Sequence, residues 1–163
     1  MTTYVALLRG IMPMNPNMRG AKLKGVFESL GFKNVATVIA SGNVVFESNS
    51  KSAAALESKI EKTLPKQLGF KSTTIIRSRA DLLKLVKKNP FKGTSHTPDN
   101  YLIVTFLKHK PKTGSRDIAT VIDLTTGKTP EFMRTVEKKF GKQITTRTWK
   151  TVGRILKKME ANA

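Results

Sequence analysis

At 163 residues, with 39% hydrophobic residues and no cysteine, the chain has room for one compact domain or two small halves, and it excludes disulfides, thiolate nucleophiles and cysteine-ligated metals. No apolar run approaches the ~18 residues that cross a bilayer, and Met1-Thr2-Thr3-Tyr4 lacks a basic n-region, so the expectation is a cytoplasmic protein with no signal peptide and no membrane partner. Thirty Lys and Arg against 11 Asp and Glu give +19, of which residues 1–77 carry +7 and residues 78–163 carry +12, with no block of five like charges: a basic surface on a folded chain, not a basic tail.

Tyr4 to Leu8 reads as a buried strand that ends at Arg9-Gly10. Met12 to Arg19 is a loop, marked by Pro13, Asn15, Pro16 and Asn17. Leu23, Val26, Phe27 and Leu30 stand at i, i+3, i+4 and i+7, a helix stopped by Gly31. Two β-rich arms then flank Ser41-Gly42-Asn43, a hairpin in which Gly supplies the positive φ. Val44 and Phe46 face one side and Val45 and Glu47 the other, so one face should be core and the other partly wet. A second helix carries Leu56, Ile60 and Leu64 and should close before Pro65; Thr73 to Arg77 is a further strand.

The order β-α-β-β-α-β is that of a ferredoxin-like unit, whose antiparallel sheet has strand order 4-1-3-2. In that topology Arg9, the 12–19 loop and the Ser41-Gly42-Asn43 turn share one edge of the sheet. Arg9, Asn17, Arg19, Ser41 and Asn43 are therefore candidates for an anion or ligand pocket, and Arg147, from the second half, is a further candidate around the same anion.

The second half repeats the pattern less regularly. A helix over 79–88 ends at Asn89-Pro90, and Tyr101 to Leu107 is a strong strand. The basic connection Lys108 to Arg116 leads to a strand over 118–124. Thr129, Pro130 and Glu131 open a helix whose inner stripe is Phe132, Met133, Val136 and Phe140. Ile144 to Arg147 is a short strand, and Trp149 to Met159 a last helix with Trp149 expected to be largely buried. The fold class is thus α+β: two ferredoxin-like halves with helices on one face of each sheet, residues 1–78 and an irregular 79–163.

Arg9-Gly10-Ile11, Ser41-Gly42-Asn43-Val44-Val45-Phe46, Asn89-Pro90-Phe91 and Thr145-Thr146-Arg147-Thr148-Trp149-Lys150-Thr151-Val152 occur in an order and spacing that resemble the bacterial family catalogued as domain of unknown function 1697. The resemblance spans nearly the whole chain and implies a pair of ferredoxin-like units in a bacterial cytoplasmic protein. It implies no activity. Where many members carry a Gly-rich loop, this chain reads Met12-Pro13-Met14-Asn15-Pro16-Asn17-Met18-Arg19, and Thr148 replaces the usual Asn before Trp149.

Reaction chemistry is sparse. His96 and His109 have no neighbouring ligand spacing, so no metal and no cofactor are expected. Thr126-Gly127-Lys128-Thr129 ends like a phosphate-binding loop, but position 122 is Ile where that motif needs Gly. No Ser sits in G-x-S-x-G, and no paired carboxylates stand out. The aromatic signature of RNA-binding ferredoxin-like sheets is missing, and Phe46, Tyr101 and Phe106 read as core. What remains is phosphate contact by Lys and Arg. The expectation is non-catalytic, sequence-independent binding of a polyanion, nucleic acid first. The contacts would be Lys108, Lys110, Lys112 and Arg116 of the loop, with Lys150, Arg154, Lys157 and Lys158 of the last helix extending the patch. The alternative is a small-anion or nucleotide pocket at the strand edge, with or without catalysis.

Overall fold

Alternation within strand β1 (Thr2–Leu8) decides the architecture: Tyr4, Ala6 and Leu8 belong to one apolar cluster, Val5 and Leu7 to another, and all five are buried. A strand buried on both faces needs a layer above and a layer below. The computed structural model, which describes residues 1–112, 114–123, 125 and 129–161 (129 and 130 as backbone only), supplies both.

The protein is mixed α+β, with two antiparallel sheets and five α-helices among the described residues. The first sheet joins β1, β2 (Lys33–Thr37), β3 (Asn43–Ser48) and β4 (Thr74–Ser78) in the order β2-β3-β1-β4, the strand order expected from the sequence. Helices α1 (Gly20–Ser29) and α2 (Ala53–Leu68) cover one face. Leu23, Val26, Phe27, Leu56, Ile60 and Leu64 are buried there around Phe46, whose ring stacks on Phe32 at 4.5 Å.

The second face, expected to be partly wet, is dry at its centre. Val5, Leu7, Val45 and Ile75 meet Leu82 and Leu85 of α3 (Arg79–Lys88) and Val152, Ile155 and Met159 of α5 (Trp149–Ala161). Leu102, Val104 and Phe106 of β5 (Asn100–Leu107) complete the cluster. The helices therefore lie on both faces of the first sheet, because its second face serves as floor for the second half. The second sheet has the order β6-β5-β7, with β6 (Asp117–Asp123) and β7 (Ile144–Thr148).

Four local expectations change. Helix α2 does not close at Pro65 but runs on to Leu68 and ends at Gly69, whose φ of 78° makes the left-handed cap and whose N–H reaches the Pro65 carbonyl at 3.1 Å. Trp149 is half-buried: as the first residue of α5 it rests edge-on against Phe91 (5.2 Å between rings) at the rim of the core. Tyr101 is exposed and stacks on His96. The stripe on α4 (Thr129–Phe140) is half-buried and belongs to neither apolar cluster. The expected Thr129–Pro130 cap, the Thr126-Gly127-Lys128 segment, Leu124 and Thr113 lie outside the described residues.

Candidate functional site

The β2–β3 turn brings backbone against backbone at the end of β1. Leu8 N–H donates to the Gly42 carbonyl at 2.8 Å, and Val38 N–H to the Asn43 carbonyl at 2.9 Å. Gly42 has φ 84°, and a Cβ there would lie 2.6 Å from Ile11 Cγ1 and 2.9 Å from the Leu8 carbonyl, so no other residue fits without movement. Ile39, in the same turn, is a β-branched residue at φ 57° that is 45% exposed. Asn43 pairs opposite Leu7 and is 1% exposed; its amide nitrogen donates to the Val38 carbonyl and to Ser41 Oγ, both at 2.9 Å.

Onto this turn comes Arg147 from β7. Its Nε donates to Asn43 Oδ1 at 2.6 Å, Nη1 to Thr145 Oγ1 at 2.6 Å and the Thr146 carbonyl at 2.8 Å, and Nη2 to the carbonyls of Leu8 at 2.9 Å and Gly42 at 3.3 Å. A guanidinium has five N–H donors, and here each has a protein oxygen. Burial lowers the group to about 10, which leaves it a cation at neutral pH, compensated by carbonyl dipoles. Arg147, on the second sheet, and Asn43, on the first, thus form a latch between the two sheets.

Arg9 is similarly engaged: it donates to the Ile144 carbonyl at 3.0 Å and forms an ion pair with Glu137 of α4. Asn17 is exposed and donates to the Leu68 carbonyl at 3.2 Å. Arg19, exposed, lines a small apolar cavity with Pro13, Leu23 and Thr37. Arg9, Ser41 and Arg147 border a cleft of about 350 Å³ between the halves; Asn17 and Arg19 do not.

A second buried arginine escaped the sequence reading. Arg77 on β4 is 0% exposed, donates to the Leu107 carbonyl at 2.7 Å and pairs with Asp117 at 3.0 Å. Burial pulls its guanidinium down, and Asp117 opposes that. Period 2 puts Arg77 on the same face as Ile75, and that is the signal that could have found it.

The basic candidates divide by location. Lys108 is mostly covered and paired with Glu61. Lys110 and Lys112 are exposed, and Arg116 is half-buried. Two clefts flank this connection. One, of about 520 Å³, is shared with Lys84 and Lys88 of α3; the other, of about 570 Å³, with Lys139, Phe140 and Lys142 at the end of α4. Lys110 borders both. Lys84, Lys88, Lys139 and Lys142 were missed, although the run Lys138-Lys139-Phe140-Gly141-Lys142 is visible in the sequence.

Lys150, Arg154, Lys157 and Lys158 are exposed, opposite the buried stripe Val152, Ile155, Leu156 and Met159. Arg154, Lys157 and Lys158 border a different cleft, against Thr37, Val38 and Ile39 of the hairpin, so they do not line the clefts of the 108–116 connection. His96 accepts from Leu102 N–H at 3.3 Å and has a structural place. Among the described residues no three His, Asp or Glu side chains converge as a metal site would need, and no helix is long and apolar enough to cross a membrane.

The fold is similar to that of a solved structure described as conserved bacterial protein SP0830 from Streptococcus pneumoniae: TM-score 0.74, 20% sequence identity, 97% of this chain and 98% of that chain covered. No curated protein matches. The model of a family described as protein of unknown function (DUF1697) matches residues 1–139, and the chain belongs to that family.

Proposed function

We propose that the protein is a non-catalytic, sequence-independent nucleic-acid binder that contacts phosphates through the 108–116 connection and the lysines of α3 and α4 beside it. The observation that carries this is the disposition of cations. The arginines at the strand edge, Arg9 and Arg147, are committed to protein oxygens, whereas Lys84, Lys88, Lys110, Lys112, Lys139 and Lys142 are exposed around two adjoining clefts. Cations of that kind give affinity without sequence readout, by releasing counterions from the phosphate backbone. We read each half as a ferredoxin-like unit, the first supported by its strand order and the second lacking a first strand. We read the chain also as a bacterial cytoplasmic protein, the bacterial source being supported by the structural neighbour.

The test replaces Lys84, Lys88, Lys110 and Lys112 together by Gln and measures DNA affinity across salt concentrations. Each lost duplex contact should flatten the slope of log affinity against log salt by about 0.9, with thermal stability nearly unchanged because exposed charges contribute little to folding. A parent protein that binds no nucleic acid at ~50 mM salt, where phosphate contacts are strong, overturns the proposal. The cleft bordered by Arg9, Ser41 and Arg147 would then be the site to probe with small anions.

A further inference from the structure

The cleft between the 108–116 connection and the end of α4 holds more than charge. His109, Lys110, Lys112, Lys139 and Lys142 surround it, Phe140 forms part of its wall, and no Asp or Glu is among the described residues that line it. Its volume, about 570 Å³, falls within the range of small-ligand pockets. Phe140 ends the half-buried stripe of α4 and belongs to neither apolar cluster, so part of its ring is open to the cleft. The Lys139 ammonium lies over one face of the ring, 5.3 Å from its centroid, so a base would stack on the opposite face or displace this lysine onto its own phosphate.

An aromatic side chain in a cationic groove is the arrangement that holds single-stranded nucleic acid: lysines follow the phosphates while an unpaired base stacks on the ring. A duplex offers the same phosphates but keeps its bases stacked on one another, so it gains nothing from Phe140. Resting on the nucleic-acid reading above, we infer that this cleft is a single-strand binding groove in which Phe140 stacks one base and Lys110, Lys112, Lys139 and Lys142 contact the adjoining backbone.

Fluorescence anisotropy with a labelled oligothymidylate of about 16 nucleotides, and with a duplex of the same length, tests this on the full chain. The parent should bind the single strand more tightly than the duplex. Phe140→Leu should weaken single-strand binding about tenfold, the scale of one lost base–aromatic stack, leaving duplex affinity and the single-strand salt slope unchanged. Phe140→Tyr, which keeps the π face, should retain parent affinity, and circular dichroism of both variants checks folding. If Phe140→Leu binds the single strand like the parent, or Phe140→Tyr is as weak as Phe140→Leu, the stacking role is wrong while the phosphate-binding surface stands. If the parent binds neither probe at ~50 mM salt, the surface and the groove fall together.

Discussion

Five N–H groups leave the Arg147 side chain, and all five end on protein oxygens. Lysine would keep the charge but not the planar fork that reaches the Leu8 and Gly42 carbonyls and Asn43 Oδ1 together. Each buried acceptor left without a donor costs about 1–3 kcal/mol. Arg147→Lys should therefore lose at least about 2 kcal/mol, read as a lower urea midpoint. A variant within about 0.5 kcal/mol of the parent, the range of an ordinary surface change, would show that the latch is not structural. Asn43 is legible in the sequence as an edge residue and Arg147 as a candidate cation. Their pairing is not, because it depends on where β7 settles against the first sheet, and nothing local in Thr145-Thr146-Arg147 reports that. The reverse holds for Lys110 and Lys112: their exposure follows from sequence, while their neighbours on α3 and α4 come only from the fold.

Helix α2 and strand β4 show the same divide at the scale of elements. β4 is the edge of the first sheet, so every other backbone N–H would face outward unpaired. Glu57 Oε2 accepts from Ile76 N–H at 2.9 Å and Glu61 Oε2 from Thr74 N–H at 3.1 Å. The match is geometric: four residues of helix rise about 6 Å and two residues of strand about 6.6 Å. The sequence displays the i, i+4 glutamates, but the edge they close is a tertiary fact. Pro65 misled for a related reason: local preference favours a stop there, while the burial of Leu64 and the cap at Gly69 sustain the last turn. Burial raises the Glu57 carboxyl above its usual value, the Ile76 N–H and nearby cations only partly opposing it. A folded-state value above the unfolded one contributes stability that is present below the unfolded value and lost as pH rises through the folded one. Glu57→Gln keeps an acceptor for Ile76 and removes the titration. The stability of the variant relative to the parent should thus increase between about pH 4 and pH 7. Denaturant melts at the two pH values decide it: a difference that stays flat, or falls toward pH 7, contradicts the assignment.

For the molecule as a whole, the two halves read from the sequence exchange arginines. Arg77, from the first half, is bound by Leu107 and Asp117 of the second; Arg147, from the second, is bound by Leu8, Gly42 and Asn43 of the first. No linker separates them, since Ser78 ends β4 and its side chain caps α3 through Asp81 N–H at 3.1 Å. One apolar cluster runs from Val5 and Leu7 through Leu82 to Val104, Phe106 and Val152, all less than 2% exposed. Removing the first sheet would expose that surface to water at about 25 cal/mol per Å² of apolar area, and it would leave Leu107 and Asp117 without Arg77, and Arg147 without Leu8, Gly42 and Asn43. The chain should consequently unfold in a single transition, with calorimetric and van't Hoff enthalpies in a ratio near one. A fragment of residues 79–163 should lack dispersed amide resonances when expressed alone. Two resolved calorimetric peaks, or a folded 79–163 fragment, would mean that each half carries a core of its own and that the arginines join finished domains.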